Sequence, residues 1–375
     1  MGLLADSLQT FKLKNLITRV NNPVTVEKNE VYTQVGIRSH GKGIFIKEPV
    51  TGKELGNKRV FWIEEDCLIV NIVFAWERAV AKTTSDLNGL IASHRFPMYK
   101  VTGNADLDYL MHYLLTPKGK KLLEDASPGG AGRNKTLSQK DFLESKIQLP
   151  NLRMQQHISI FLAAVENKIQ LQQKKVDLLQ EQKKGYMQKI FKQEIRFKDD
   201  NGGRYPEWEK KKIKEVFRVT RGQVLSRDKI SKKGIYPVYS SQTKNNGLLG
   251  YYNEFLFENA ITWTTDGANA GNVNYREGKF YCTNVCGVLL NDSGNASYCM
   301  AELLNSIAFR HVSYVGNPKL MNNVMEEISL YFPSVKEQEK ISNFVKMFNK
   351  KIQLEERKLE ELQEQKKGFI QQMFV

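Results

Sequence analysis

The sequence is poor in cysteine and has no long apolar run. Four cysteines in 375 residues cannot staple a small secreted fold, so a reducing compartment is expected. No stretch approaches the ~18 uninterrupted apolar residues of a membrane-spanning helix. The opening MGLLADSLQTFK lacks the basic leader of a secretory signal. These absences make a cytoplasmic location the expectation. Metal and catalytic motifs are missing too. The five histidines (His40, His94, His112, His157, His311) show no HExxH or paired spacing. Cys282 and Cys286 sit in FYCTNVCGVLL with no histidine beside them, so they read as buried thiols and no metal site is expected.

Near misses fail on chemistry. Gly36–Gly43 (GIRSHGKG) approaches the phosphate-cradling GxxxxGK[ST], but Gly43 stands where the Mg²⁺-binding hydroxyl is needed. The following IFIKEP reads as a strand, whereas that motif needs a helix N-terminus. Asp141, Glu144 and Lys146 are too close in sequence for the hairpin that assembles a nuclease carboxylate cluster. Asn22-Pro23 lacks the second proline of the Asn/Asp-Pro-Pro-aromatic tetrapeptide of amino-methyltransferases that act on a flipped base. No catalytic residue is expected.

Positive charge is abundant, with a net of +15. It is spread along the chain: +5 over residues 1–148, +6 over 149–198, +2 over 199–332 and +2 over 333–375. A distributed excess argues against a basic tail and for a long surface that meets a polyanion, of which nucleic acid is the commonest.

An internal repeat organises the rest. Residues 150–191 and 333–374 align without a gap at an offset of 183, and both contain LQEQKKG (Leu179–Gly185 and Leu362–Gly368). Each copy carries a 4-3 apolar seam: Ile158, Leu162, Val165, Ile169, Val176 and Leu179 in the first, Ile341, Val345, Phe348, Ile352, Leu359 and Leu362 in the second. Polar breaks fall at matching places, Gln172 with Glu355 and Lys183 with Lys366. Shared breaks predict that the two helices pack on each other in one register. Pro150 and Pro333 precede them, where proline is tolerated.

The segments before the helices share a layout with almost no sequence identity. Each opens with a basic stretch read as weakly helical (Phe11–Ile17, Trp208–Phe217). Each continues through β-like runs (Cys67–Phe74, Ala260–Thr265) to an amphipathic helix (around Leu107–Ala126 and Ser297–Ser306). The expected fold is α+β: recognition domains at 1–148 and 205–332, long helices at 149–192 and 333–375, and a polar linker at 193–204. Polar and cationic turn residues are the candidate DNA contacts, because Arg suits guanine, Asn or Gln suits adenine, and Lys suits phosphate. In the first domain they are Arg38, His40, Lys42, Arg78, Arg95, Arg133 and Lys135. In the second they are Arg221, Gln242, Lys244, Asn245, Asn246, Asp266, Asn269, Asn272, Lys319 and Asn322.

The two proline-led helical repeats ending in LQEQKKG, each after a dissimilar domain, resemble the specificity (S) subunit of type I restriction–modification systems. The resemblance covers essentially the whole chain. It implies two target-recognition domains, each reading one half of a bipartite asymmetric double-stranded DNA site. It also implies two antiparallel coiled-coil helices, related by a pseudo-twofold repeat, that set the spacer. Two methyltransferase (M) subunits and two restriction/motor (R) subunits are the implied partners. S-adenosylmethionine, ATP and Mg²⁺ belong to those partners, with no cofactor in this chain. One departure stands out: the lead-in Arg204–Glu209 (RYPEWE) of the second domain has no match before the first. The competing reading is a coiled-coil scaffold that touches nucleic acid only through charge.

Overall fold

The computed structural model describes residues 8–129, 135–242 and 244–374. Two compact units divide the chain, residues 1–172 with 359–375, and residues 173–358. A long helix from each repeat copy, Leu152–Phe191 and Val335–Met373, contributes to both units.

In the first unit a four-stranded antiparallel sheet runs in the order Ile17–Val20, Met98–Val101, Leu68–Val70, Val80–Lys82. Alternation along each strand feeds two cores. Leu68, Val70, Val80 and Tyr99 join Leu110, Leu114 and Phe142 on one face. Ile69, Ala79, Ala81 and Met98 join Val35 and Ile37 on the other. The expected helix around Leu107–Ala126 is two helices, Leu107–Leu115 and Pro117–Asp125. Thr116 separates them in an extended conformation and caps the second through Gly119 N, with Pro117 in the first turn.

The second unit holds a six-stranded sheet in the order Arg218–Arg221, Cys286–Leu290, Phe257–Thr264, Val273–Cys282, Tyr236–Tyr239, Leu248–Tyr252. Its pairings are antiparallel except Tyr236–Tyr239 with Val273–Cys282. Ile261, Trp263 and Leu289 face the helix Tyr298–Ala308 through Met300 and Leu304. Gly287 is required beneath Trp263, because a Cβ there would lie 2.1 Å from the indole ring.

The basic openings of both domains are strands rather than helices. Gln9–Lys12 pairs antiparallel with Lys146–Leu149, and Glu209–Lys212 with Ser329–Phe332. Each is followed by a single helical turn, Leu13–Asn15 or Ile213–Val216. The partner strand immediately before each long helix supplies the backbone hydrogen bonds, and this overrides a lysine-rich local preference.

Within each unit the long helices run antiparallel. In the first, Phe161 packs edge-on to Phe369 at 5.0 Å and Lys366 pairs with Glu166 at 2.6 Å. In the second, Tyr186 meets Phe344 and Phe348, and Lys175 reaches Glu355 at 3.0 Å. Of the seam residues, Ile158, Leu162, Val176, Leu179, Ile341, Val345, Phe348, Ile352 and Leu359 are buried, and Val165, Ile169 and Leu362 are half-buried. Ile158 and Leu162 also enter the core of the first unit beside Leu110 and Phe142, so the seam joins helix to domain as well as helix to helix.

The repeat extends into polar contacts. Asn151 Oδ1 accepts from Met154 N, and Ser334 Oγ at the matching place accepts from Glu337 N. Buried Gln155 donates to Pro150 O at 2.8 Å, and buried Gln338 donates to Pro333 O at 2.9 Å. Glu144 takes Lys12 and Lys14, while Glu327 takes Lys212 and Lys214. Those lysine hydrogen bonds hold each carboxyl down to about 2.

Candidate nucleic-acid interface

In the first unit the candidate residues gather around the segment Asn71–Arg78. The hairpin joining Val35–Ile37 to Ile44–Ile46 carries Arg38, His40 and Lys42, all exposed. It docks on that segment through His40 N to Glu77 O (2.8 Å), Gly41 N to Arg78 O (3.0 Å) and Ser39 Oγ to Glu77 Oε2 (2.7 Å). Arg38 lies over the Phe45 ring at 4.8 Å and donates to Ile44 O. Exposed Arg95 joins from the other side, its carbonyl accepting from Ile72 N. Lys135 Nζ sits 5.7 Å above the Trp76 ring. Arg78 departs from the expectation of a base contact. Its guanidinium donates to Leu115 O at 2.9 Å, and its backbone is left-handed (φ 59°), so it braces the loop from within. Arg133 lies outside the described residues.

The second unit brings its candidates to one end of the six-stranded sheet. Arg221 ends one edge strand, and its NH2 lies 3.7 Å from Asp266 Oδ2. Asp266 takes a 2.6 Å hydrogen bond from Thr265 Oγ1 and bridges through its backbone to exposed Lys319. Asn322 Nδ2 faces Thr220 O at 3.4 Å. Asn269 donates to Ser241 O at 3.0 Å, and Asn272 accepts from Asn274 at 3.0 Å. Gln242 donates to Leu248 O, which leaves the exposed Asn245 and Asn246 at the turn. That turn, Lys244–Gly247, holds Asn245, Asn246 and Gly247 all at positive φ.

Sequence reasoning missed what holds this turn. Arg276 is 6% exposed, stacks 3.8 Å above the Tyr239 ring, and donates to Thr262 Oγ1 (3.0 Å) and Asn246 O (2.6 Å). It sits inside a strand, where nothing in its neighbourhood marks it as more than one charge on an exposed face. Also missed was Glu337, fully buried, which accepts from Arg196 NH2 (2.9 Å) and Trp208 Nε1 (2.9 Å). The offset of 183 sets it opposite Met154, and an acid aligned with an apolar residue was the available signal.

A groove of about 1170 Å³ lies between the helices and the sheet of the second unit, lined in part by Lys183, Lys346, Glu277 and Glu302. Two of its lysines are paired internally, Lys183 with Glu302 and Lys346 with Glu277, while Lys184, Lys350 and Arg310 also line it. Cys282 and Cys286 are buried thiols. Among the described residues no three His, Cys, Asp or Glu side chains gather as a metal-ligand set, and no helix is long and apolar enough to cross a membrane.

Polar and cationic turns are thus displayed by two frameworks that repeat several of each other's contacts. The family model described as the type I restriction modification DNA specificity domain matches residues 64–181 and 205–364. The chain belongs to that family. A Mycoplasma pneumoniae protein named as a type I specificity subunit is 43% identical over 143 residues, 37% of this chain and 39% of that protein. The specificity subunit of the type I restriction enzyme MpnII, from the same organism, is 38% identical over 144 residues, 37% of this chain and 43% of the relative. The matched part is thus less than half the length of either relative. The S subunit of a type I system from M. genitalium has the same fold, with a TM-score of 0.65 at 16% identity over 100% of this chain and 98% of that one. A chain from a study of complex assembly in a type I system aligns with a TM-score of 0.56 at 15% identity, over 100% and 99% of the two chains.

Proposed function

We propose that this specificity-family chain directs a type I restriction–modification enzyme to its DNA, each unit reading one half of a bipartite site. The observation that carries this is the contrast between frame and loops. Particular contacts of the frame are duplicated: Gln155 with Gln338, Glu144 with Glu327, and the antiparallel strand pair that precedes each long helix. The displayed loops differ, with Arg38, His40, Lys42 and Arg95 on one unit and Asn245, Asn246 and Lys319 on the other. One frame with two surfaces suits an asymmetric target, since different base edges need different donors and acceptors.

A duplicated frame also suits duplicated partners. Two methyltransferase subunits would dock on it, with restriction/motor subunits joining them. S-adenosylmethionine, ATP and Mg²⁺ would serve those subunits, and this chain contributes position rather than chemistry, in the cytoplasm where the DNA is. The test is methylation sequencing of host DNA with the chain present or deleted beside its methyltransferase. A bipartite adenine-methylated motif should vanish on deletion. Exchange of residues 1–148 for another domain should alter one half of the motif only. An unchanged methylome on deletion would leave the scaffold reading in its place.

A further inference from the structure

Residues 312–320 of the second unit form a hairpin with buried roots and an exposed tip. Val312 and Leu320 lie in the core, and Trp263 Nε1 donates to Leu320 O at 3.0 Å. Ser313 and Lys319 exchange two backbone hydrogen bonds of 2.8 and 2.9 Å. Pro318 O accepts from Gly267 N at 2.9 Å, tying the hairpin to the loop that carries Asp266 and Asn269. At the tip, Tyr314 is 68% exposed and Val315 92%, the highest value of any large apolar side chain among the described residues. Gly316 makes the turn at φ 74°.

A single exposed apolar side chain needs no explanation. Here two adjacent ones stand on a rigid support, with Phe309 and Met321 exposed at its base. Along the chain the charge is one-sided, and Asp266 of the adjoining loop, which bridges to Lys319 through its backbone, already faces Arg221 at 3.7 Å. No acidic residue occurs from Leu303 to Met325, whereas Arg310, His311 and Lys319 all fall there. Apolar tips flanked by cations match a duplex, whose phosphates attract the cations and whose base stack accepts the apolar groups.

We propose that Tyr314 and Val315 form a wedge that enters the DNA at one base step of the half-site served by the second unit. This rests on the DNA-reading function proposed above. Lys319 and Arg310 hold phosphates beside the step, and the apolar pair presses into the stack and bends the duplex. The cost of opening a step depends on its sequence and is lowest for pyrimidine–purine steps. The wedge therefore selects sequence without a hydrogen bond to a base.

The test uses the full chain with its methyltransferase partner on a duplex carrying the methylated motif. 2-Aminopurine, which brightens when unstacked, is placed at each position of the half-site in turn. The wild-type complex should brighten one step. The double variant Tyr314→Ser with Val315→Ser should lose that signal and bind about tenfold more weakly, given the usual worth of base stacking. A one-nucleotide gap at the step should restore its affinity. Three outcomes overturn the wedge and leave the DNA-reading function standing: no bright step in a duplex that is still methylated, a signal that survives in the variant, or loss of methyltransferase binding by the variant without DNA, which would make the hairpin a protein contact. If the wild-type complex methylates no motif, the DNA-reading function fails and the wedge fails with it.

Discussion

Replacing Glu337 by methionine, the residue at the matching place in the first repeat copy, is expected to weaken the second unit selectively. Glu337 has no exposed surface and accepts three hydrogen bonds, two from Arg196 (3.2 and 2.9 Å) and one from Trp208 (2.9 Å). Losing one partner of a buried pair costs about 3–5 kcal/mol. Arg196 keeps Glu207 and the carbonyls of Tyr205 and Pro206, so the low end, about 3 kcal/mol, applies. For a unit of this size that lowers the melting temperature by roughly 6–12 °C. Arg196→Met alone should cost at least as much, because it leaves a carboxylate buried. The double variant removes both buried charges and leaves the Trp208 indole N–H, worth about 1–3 kcal/mol, and the part-buried Tyr205 carbonyl without these partners. The coupling between the two sites should therefore be about 2 kcal/mol or more. Scanning calorimetry gives the shifts, and hydrogen exchange over residues 196–212 assigns them to the second unit. If the double variant melts where the sum of the singles predicts, within ~0.5 kcal/mol, the reasoning from a coupled buried pair is wrong.

Gly287→Ala should destabilise the second unit by about 1–3 kcal/mol through overpacking against Trp263, read as a lower urea midpoint with an unchanged slope. The paired carboxyls Glu144 and Glu327 are depressed from 4.5 to about 2, so their contribution is full above pH 4.5 and is lost as pH falls toward 2. Acid titrations of Glu144→Gln with Glu327→Gln should show a shallower loss in that window. Arg276→Gln should release Asn246 O and speed hydrogen exchange in residues 244–248. Methylation at one half-site should fall more than at the other. Leu162→Ala should cost about 2–5 kcal/mol, because that side chain is fully buried between helix and domain in the first unit.

The long helices were legible because the same 4-3 seam, with the same polar breaks, occurs in both copies, and its apolar positions from Ile158 to Leu362 are buried or half-buried. The domains were less so, for a physical reason. Gln9–Lys12 becomes a strand only because Lys146–Leu149, more than a hundred residues away, completes its hydrogen bonds. No local pattern announces such a partner, and a stretch such as Glu209–Lys212 then defaults to a helical reading. The split at Thr116-Pro117 was visible in principle, since a capping residue followed by proline marks a helix start. Loop composition nominated the candidate residues but could not separate exposed side chains, such as Arg38 and Arg95, from braces such as Arg78. That distinction depends on where Leu115 O falls, which only the folded chain decides.

The antiparallel helices also set an order of assembly during synthesis. The second unit is built from residues 173–358, an unbroken stretch. The first unit waits for residues 359–374, and its core is closed by Phe374, whose ring stands 4.9 Å from Tyr109. A ribosome therefore completes the later unit before the earlier one. Until the last helical turns emerge, the part of the first core that they cover stays open to water. That nascent surface favours association with other chains. A recombinant truncation that ends before residue 359 should accordingly precipitate through its N-terminal half, even though everything it has lost lies at the other end.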